Sequence, residues 1–352
     1  MTLTNEAGNG APRSTSEPAP SGSEAGGLAL KKIKLTKEPQ LAHSLVVRQP
    51  GLWQRIKRDR TFIIMTIPAV VLIILFNYIP MVGNLGAFQD YNPYGGISGS
   101  NWVWFENFID VLTSASFANA LKNTLLITLF SLLFYFPIPI FLAILMNSVL
   151  NTKVRTAIQS IIYLPHFFSW VLVISIFQQF VGGASPISQW FIKNGHDPLT
   201  IMTNPDSFIG LVTTQAIWKD AGWGMIIFLA ALSTIDPSLY EASVMDGAGK
   251  MRRLWHITLP ALRPVIVLLL ILRLGDALNV GFEQMYLQRD AVGSGASDVL
   301  DTFVYFEGIK YSKWGFALAA GLMKGVVALL LVLGANGLAH RMGEAGVYQK
   351  AK

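Results

Sequence analysis

Residues 236–264 read DPSLYEASVMDGAGKMRRLWHITLPALRP, a charged and ordered segment set between two apolar runs. Asp236 followed by Pro237 is a helix-start signal, because the carboxylate caps free amides and proline suits the first helical position. A short helix over 237–248 then holds Glu241 near its positive end and arranges Leu239, Ala242, Ser243, Val244 and Met245 around a partly apolar surface. Gly247 and Gly249 let the chain turn. A second helical piece, roughly 250–258, is expected to end at Pro260, with Pro264 opening the next apolar run. A solvated linker needs no capped helix, glycine turn and two prolines in that order, so the segment reads as a rigid knob held by two membrane helices.

The chain has 352 residues, of which 52% are hydrophobic and 14% charged, an apolar content that places it among integral membrane proteins. Six stretches can span a hydrocarbon core of roughly 30 Å: about 61–81, 121–147, 157–181, 208–232, 264–288 and 315–339. The expected fold is therefore all-α with six transmembrane helices and both termini on one side. The net charge of +6 is no nucleic-acid footprint, since residues 1–60 supply +5 of it. Arg55, Lys57, Arg58 and Arg60 beside the first run place the N-terminus in the cytoplasm by the positive-inside rule. Lys153, Arg155, Lys250, Arg252, Arg253 and Arg263 then fall inside, and the acidic stretches 82–120 and 289–314 outside. The membrane in question is expected to be the bacterial cytoplasmic one.

Residues 1–50 form a polar tail whose first 27 residues, rich in Gly, Ser, Pro, Ala and Glu, bury too little to order. Residues 51–60 put Leu52, Trp53 and Ile56 on one helical face and cations on another, as a short helix lying in the interface does. Residues 61–342 make the membrane-spanning body, with the loop 236–263 inside it, and 343–352 a cytoplasmic C-terminal tail. The first apolar run lies too deep for a cleaved signal peptide and is expected to be retained. Cysteine is absent, which excludes a disulfide or thiolate metal site. Pro137, Pro139 and Pro165 each remove a helical hydrogen bond and are expected to bend or break their helices where protein or water answers the freed carbonyls.

A charge near the bilayer centre costs about 2.5 to 3.5 kcal/mol on insertion scales, so such residues face partners or water. Lys219, Asp220, Arg273, Asp276 and Lys324 fall at similar depth and are expected to converge. At 100° per residue Asp276, Asn279 and Glu283 form a polar stripe on the fifth run. Two readings stand side by side. In one, these groups line a pathway; in the other, Arg273 with Asp276, and Lys219 or Lys324 with a carboxylate, are ion pairs that hold helices or a second subunit together. His166 reads as an interior hydrogen-bonding residue, since no second metal ligand stands at a ligand spacing.

Glu241, Ala242, Gly247, Ile257, Leu259 and Pro260 stand at the spacing of the EAA loop, and the chain thereby resembles the permease subunits of ATP-binding-cassette importers. Ser243 departs mildly from the alanine more often found there. The resemblance covers about 61–342. It implies a type I importer permease fold in which this segment is the coupling helix seated in an ATPase cleft, with Glu241, Ala242, Ser243, Asp246 and Gly247 shaping the contact and Arg252 and Arg253 adding to it. Implied partners are a second permease, two ATPase subunits that bind ATP and Mg, and an extracytoplasmic binding protein. Gly247, Ala248, Gly249 and Lys250 are no phosphate loop, because Val244 and Met251 occupy the positions that need Gly and Ser or Thr. HExxH and GxSxG are also absent from the sequence, and no enzyme, cofactor or metal site is expected in this subunit.

The run Asn77, Tyr78, Ile79, Pro80, Gly83, Ala87, Phe88, Asp90, Tyr91, Asn92 and Pro93 resembles the branch that imports oligosaccharides from complex polysaccharides. So do Tyr163, Leu164, Pro165 and His166, and the stretches 218–223 and 279–284. A sugar needs hydroxyl partners and flat apolar faces, which Trp218, Asp220, Trp223, Asp276, Asn279, Glu283 and Gln284 offer as a candidate pathway lining. Import of a peptide or amino acid, or a secondary transporter relaying ions through Asp220, Asp276 or Glu283, are the alternative readings.

Overall fold

The computed structural model describes residue 53 and residues 57–341. The expected tails, 1–50 and 343–352, and most of the interfacial segment 51–60 lie outside the described residues. The chain divides into two compact units, 1–67 and 68–352. In the first, residues 53, 57 and 58 are already helical, the backbone bends at Asp59 beside an Arg58–Asp59 ion pair of 2.9 Å, and the helix Arg60–Ile73 begins.

Among the described residues six helical stretches are long and apolar enough to cross a membrane: Arg60–Phe88, Ala115–Asn147, Trp170–Lys193, Pro205–Ser233, Lys250–Gly275 and Trp314–Arg341. A two-residue antiparallel pair, Gln89–Asp90 with Asn101–Trp102, closes the loop after the first. No residue of Arg60–Met81 is buried, so this first crossing turns apolar side chains outward on all sides. The unit 68–352 packs around three larger apolar clusters. One joins Ala87, Phe117 and Ala120 to Leu300, Phe303 and Ala319; a second joins Ile127 and Phe208 to Met285 and Val299; a third joins Met146, Met225 and Phe228 to Leu262.

The prolines act differently from one another. Pro137 and Pro139 do not interrupt the second crossing: a π-helical turn, Ser131–Tyr135, widens the ladder just before them and the helix resumes as Pro137–Asn147. Pro165 does break its run, which corrects the expected crossing at 157–181. The helix Thr152–Tyr163 ends in a 3₁₀ turn, Leu164–Phe167, and a new helix, Trp170–Val181, starts under a Ser169 cap that accepts from the Leu172 amide. Pro260 and Pro264 do not end anything either. The helix from Lys250 runs through a π-helical turn, Leu254–Thr258, into Leu259–Gly275, because the wider turn places Pro260 in a first helical turn where its missing N–H costs little.

The largest correction concerns the fifth run, which is not helical over 264–288. The helix stops at Gly275, the backbone turns through 276–281, and Phe282–Val292 begins afresh from Gly281 at φ +94°. Asp276, Asn279 and Glu283 are consequently no single helical stripe.

Candidate functional site

Two places gather the polar residues of this otherwise apolar chain. The first surrounds the two breaks in the helices. At Leu164–Phe167 the freed carbonyls are answered by an ammonium: Lys219 Nζ donates to the His166 and Phe168 carbonyls at 2.6 and 2.8 Å. Asp220 lies 3.9 Å from the same nitrogen but bonds His166 Nδ1 at 2.8 Å, and the imidazole stacks on Trp223 with centroids 4.5 Å apart and planes within 5°. Lys219 is thus bound chiefly by backbone, with the carboxylate pairing weighed from sequence present only at the edge of ion-pair distance. Gly222 makes this junction narrow. A Cβ there meets the Ile162 carbonyl oxygen at 2.2 Å, so only glycine lets the helix Phe208–Ser233 approach the end of Thr152–Tyr163.

At the second break Thr128 Oγ1 donates to the freed Ala277 carbonyl, and Asn279 turns back through its amide onto the Asp276 carbonyl at 2.9 Å. Beside it lies a small cavity lined by Thr128, Ser131, Thr213, Arg273, Asp276 and Asn279, among others. Arg273 Nη2 donates to Ser131 Oγ at 2.8 Å and the guanidinium stands 5.1 Å from the Tyr135 ring centroid. It forms no ion pair with Asp276, contrary to the pairing considered from sequence. Lys324 does take a carboxylate, that of Asp301.

The candidate lining residues therefore separate. Asp220 and Trp223 sit together with His166; Asp276 and Asn279 sit together with Arg273. Trp218 turns to Phe168 and Phe177 instead. Gln284 is buried, donating to the Val212 carbonyl at 3.0 Å and to Gln215 at 2.9 Å, with Gln288 completing the group. That triad ties Phe282–Val292 to the fourth crossing. Glu283 is exposed on the first turn of that helix and is not among the residues lining the cavity. The sequence reading missed Thr128, Ser131 and Tyr135, whose spacing of three and four places them on one face of the second crossing.

The second place is the knob. Asp236 caps the helix Pro237–Met245 by accepting from the Ser238 amide at 2.9 Å; hydrogen bonds from that amide and from the Ser238 hydroxyl hold its carboxyl below the ordinary carboxylate range. The helix ends in a Schellman motif: the Ala248 amide reaches the Ser243 carbonyl at 2.9 Å, the Gly247 amide reaches the Val244 carbonyl at 3.0 Å, and Gly247 takes φ +73°. Tyr240 OH meets Thr258 Oγ1 at 3.0 Å and locks the knob to the root of the fifth crossing. Glu241, Ala242, Asp246 and Arg252 are exposed, Ser243 bonds the Tyr240 carbonyl at 2.7 Å, and Arg253 is half-buried beneath them. Met245, 87% exposed, projects with Leu239 and Val244 from the knob, an apolar surface that none of the described residues covers. Among the described residues no group of His, Cys, Asp or Glu is placed to hold a metal ion.

Six crossings, an interior polar seam and an exposed, doubly capped knob define a multi-pass membrane transport component. Residues 135–344 match the family described as "Binding-protein-dependent transport system inner membrane component", and the chain belongs to it. It is 42% identical to Protein LplB of Bacillus subtilis (strain 168) over 83% of this chain and 92% of that one. It is 43% identical to the polygalacturonan/rhamnogalacturonan transport system permease protein YteP of the same organism, over 81% of this chain and 89% of that one. Among solved structures it is similar to a chain of the bacterial alginate ABC transporter in complex with alginate pentasaccharide-bound periplasmic protein. That match has a TM-score of 0.77 and 37% identity, and covers 84% of this chain and 99% of that one.

Proposed function

We propose that this chain is the permease subunit of an ATP-driven importer that passes a sugar or oligosaccharide, delivered by an extracytoplasmic binding protein, across the bacterial cytoplasmic membrane. It works beside a second permease, and ATP with its Mg is bound and hydrolysed by two separate ATPase subunits. Both termini and the knob lie on the cytoplasmic side, as the cations Lys250, Arg252, Arg253 and Arg263 around it favour. The family, the relatives named for polygalacturonan/rhamnogalacturonan and alginate transport, and the hydroxyl, amide and carboxylate groups around the second break support the reading.

The observation that carries it is the knob. A helix capped at both ends, locked by Tyr240 to the fifth crossing and leaving Leu239, Val244 and Met245 uncovered by any described residue, is built to be gripped from outside and to transmit that grip. Glu241, Ala242, Ser243, Asp246, Gly247, Arg252 and Arg253 shape the contact. Asp220, Trp223, Asp276 and Asn279 face the moving solute.

Gly247→Trp tests it. A Cβ added there meets no atom within 4 Å, so the side chain starts into open space, and the left-handed backbone that closes the knob takes the strain. Expected is normal membrane insertion, loss of ATP-driven uptake and weakened co-purification of the ATPases. Full transport by the variant refutes the coupling role.

A further inference from the structure

Lys219, Arg273 and Lys324 are three of the cations inside the crossings of this chain, and the chain itself answers two of these three. Lys219 ends on the two carbonyls of the broken helix, and Lys324 ends on Asp301. Arg273 is different. Its Nη2 donates to a neutral hydroxyl, that of Ser131, its Cζ stands over the Tyr135 ring, and no carboxylate of the described residues lies within 4.0 Å of it. Ser131 sits at the middle of the second crossing, so this is charge at depth, where an unanswered guanidinium is least tolerated.

The groups around it are of another kind. Thr128, Ser131, Thr213 and Asn279 offer hydroxyls and an amide, and Asp276 a carboxylate that also lacks a cation within ion-pair distance. Hydroxyl, amide and carboxylate suffice for a neutral polyol, with Asp276 accepting from its hydroxyls. The guanidinium is surplus to that task. Its planar fork of donors matches a carboxylate with two parallel hydrogen bonds, which an ammonium cannot supply.

We propose that Arg273 reads the carboxylate of a uronate residue, so that the solute this permease passes is an acidic oligosaccharide and Arg273 is its charge-selecting group. The inference rests on the saccharide reading above. Ser131 and Tyr135 are positioning residues: the hydroxyl holds one nitrogen and the ring holds the plane, leaving the remaining donors turned to the cavity. Asp276, three residues on, keeps the anion to the guanidinium side by repulsion and takes hydroxyls.

The test uses the complete transporter in proteoliposomes with its binding protein, ATP inside, and labelled pentasaccharides of galacturonate, of mannuronate and of neutral arabinose. Wild type is expected to carry a uronate probe. Arg273→Gln is expected to raise KM for that probe about tenfold while Arg273→Lys recovers part of the loss, and any uptake of the neutral probe stays within about twofold. Ser131→Ala gives a smaller shift of the same selectivity and serves if Arg273→Gln does not assemble. Carriage of the neutral probe alone overturns the charge assignment and leaves the saccharide reading standing; carriage of none of the three overturns the saccharide reading itself. An equal loss for acidic and neutral probes, or loss of the second permease on purification, makes Arg273 a structural cation and overturns the inference.

Discussion

Lys219 donates to two carbonyls, those of His166 and Phe168, that the gap between the 3₁₀ turn and the helix Trp170–Val181 leaves outside any helical ladder. A buried carbonyl left without a donor costs about 1 to 3 kcal/mol, and Lys219 answers two, His166 and Phe168. Lys219→Met keeps the length of the side chain and removes the donors. It is expected to lower the thermal unfolding midpoint of the detergent-solubilised protein and to open the 164–169 segment to proteolysis, while Lys219→Arg, which retains donors, shows a smaller effect. A variant as stable and as protected as wild type shows that the strap contributes nothing. The same residue marks a limit of reading charge from sequence. A lysine beside an aspartate reads as an ion pair, yet the helix break fifty residues earlier in the chain presents carbonyls that a cation at this depth takes first.

At the scale of elements, the knob was legible and the fifth crossing was not. Caps and glycine turns are local chemistry, carried by residues adjacent in sequence: Asp236 with Ser238, Ser243 and Val244 with Gly247 and Ala248. The break after Gly275 depends on Thr128, 149 residues away, which accepts the role of partner for the Ala277 carbonyl. Apolarity over 264–288 and a helical period both conceal it, and the three-residue polar stripe drawn on that period dissolves with it. Being local, the cap has a sign that can be worked out. The Asp236 carboxyl is held below its ordinary range in the folded chain, so its stabilising contribution is complete above the unfolded carboxylate range and is lost as pH falls through the folded value. Hydrogen-exchange protection of the amides that follow Pro237 is expected to fall in that acidic window. Asp236→Asn, which caps without titrating, should hold its protection across the window, and Asp236→Ala should lack it throughout. Identical profiles for wild type and Asp236→Asn rule out the carboxylate as the source.

For the molecule as a whole, the sequence contains no cysteine, so a single introduced thiol reports its own side of the membrane. Two positions decide the orientation on which the coupling reading depends. In that reading Tyr94, fully exposed in the loop between the first two crossings, lies outside, and the exposed Met245 on the knob lies inside. Both side chains project from their elements, so substitution disturbs little packing. In intact cells a membrane-impermeant maleimide is expected to label Tyr94→Cys and to spare Met245→Cys. In inside-out vesicles the pattern reverses, and the Met245→Cys reaction slows when the ATPase subunits are present, because the apolar surface that Leu239, Val244 and Met245 share is then covered. Labelling of Met245→Cys in intact cells places the knob on the wrong face for an ATP-driven motor. Equal labelling of that thiol with and without the ATPases leaves the orientation intact but takes away the grip, and with it the reason for a helix so firmly capped at both ends.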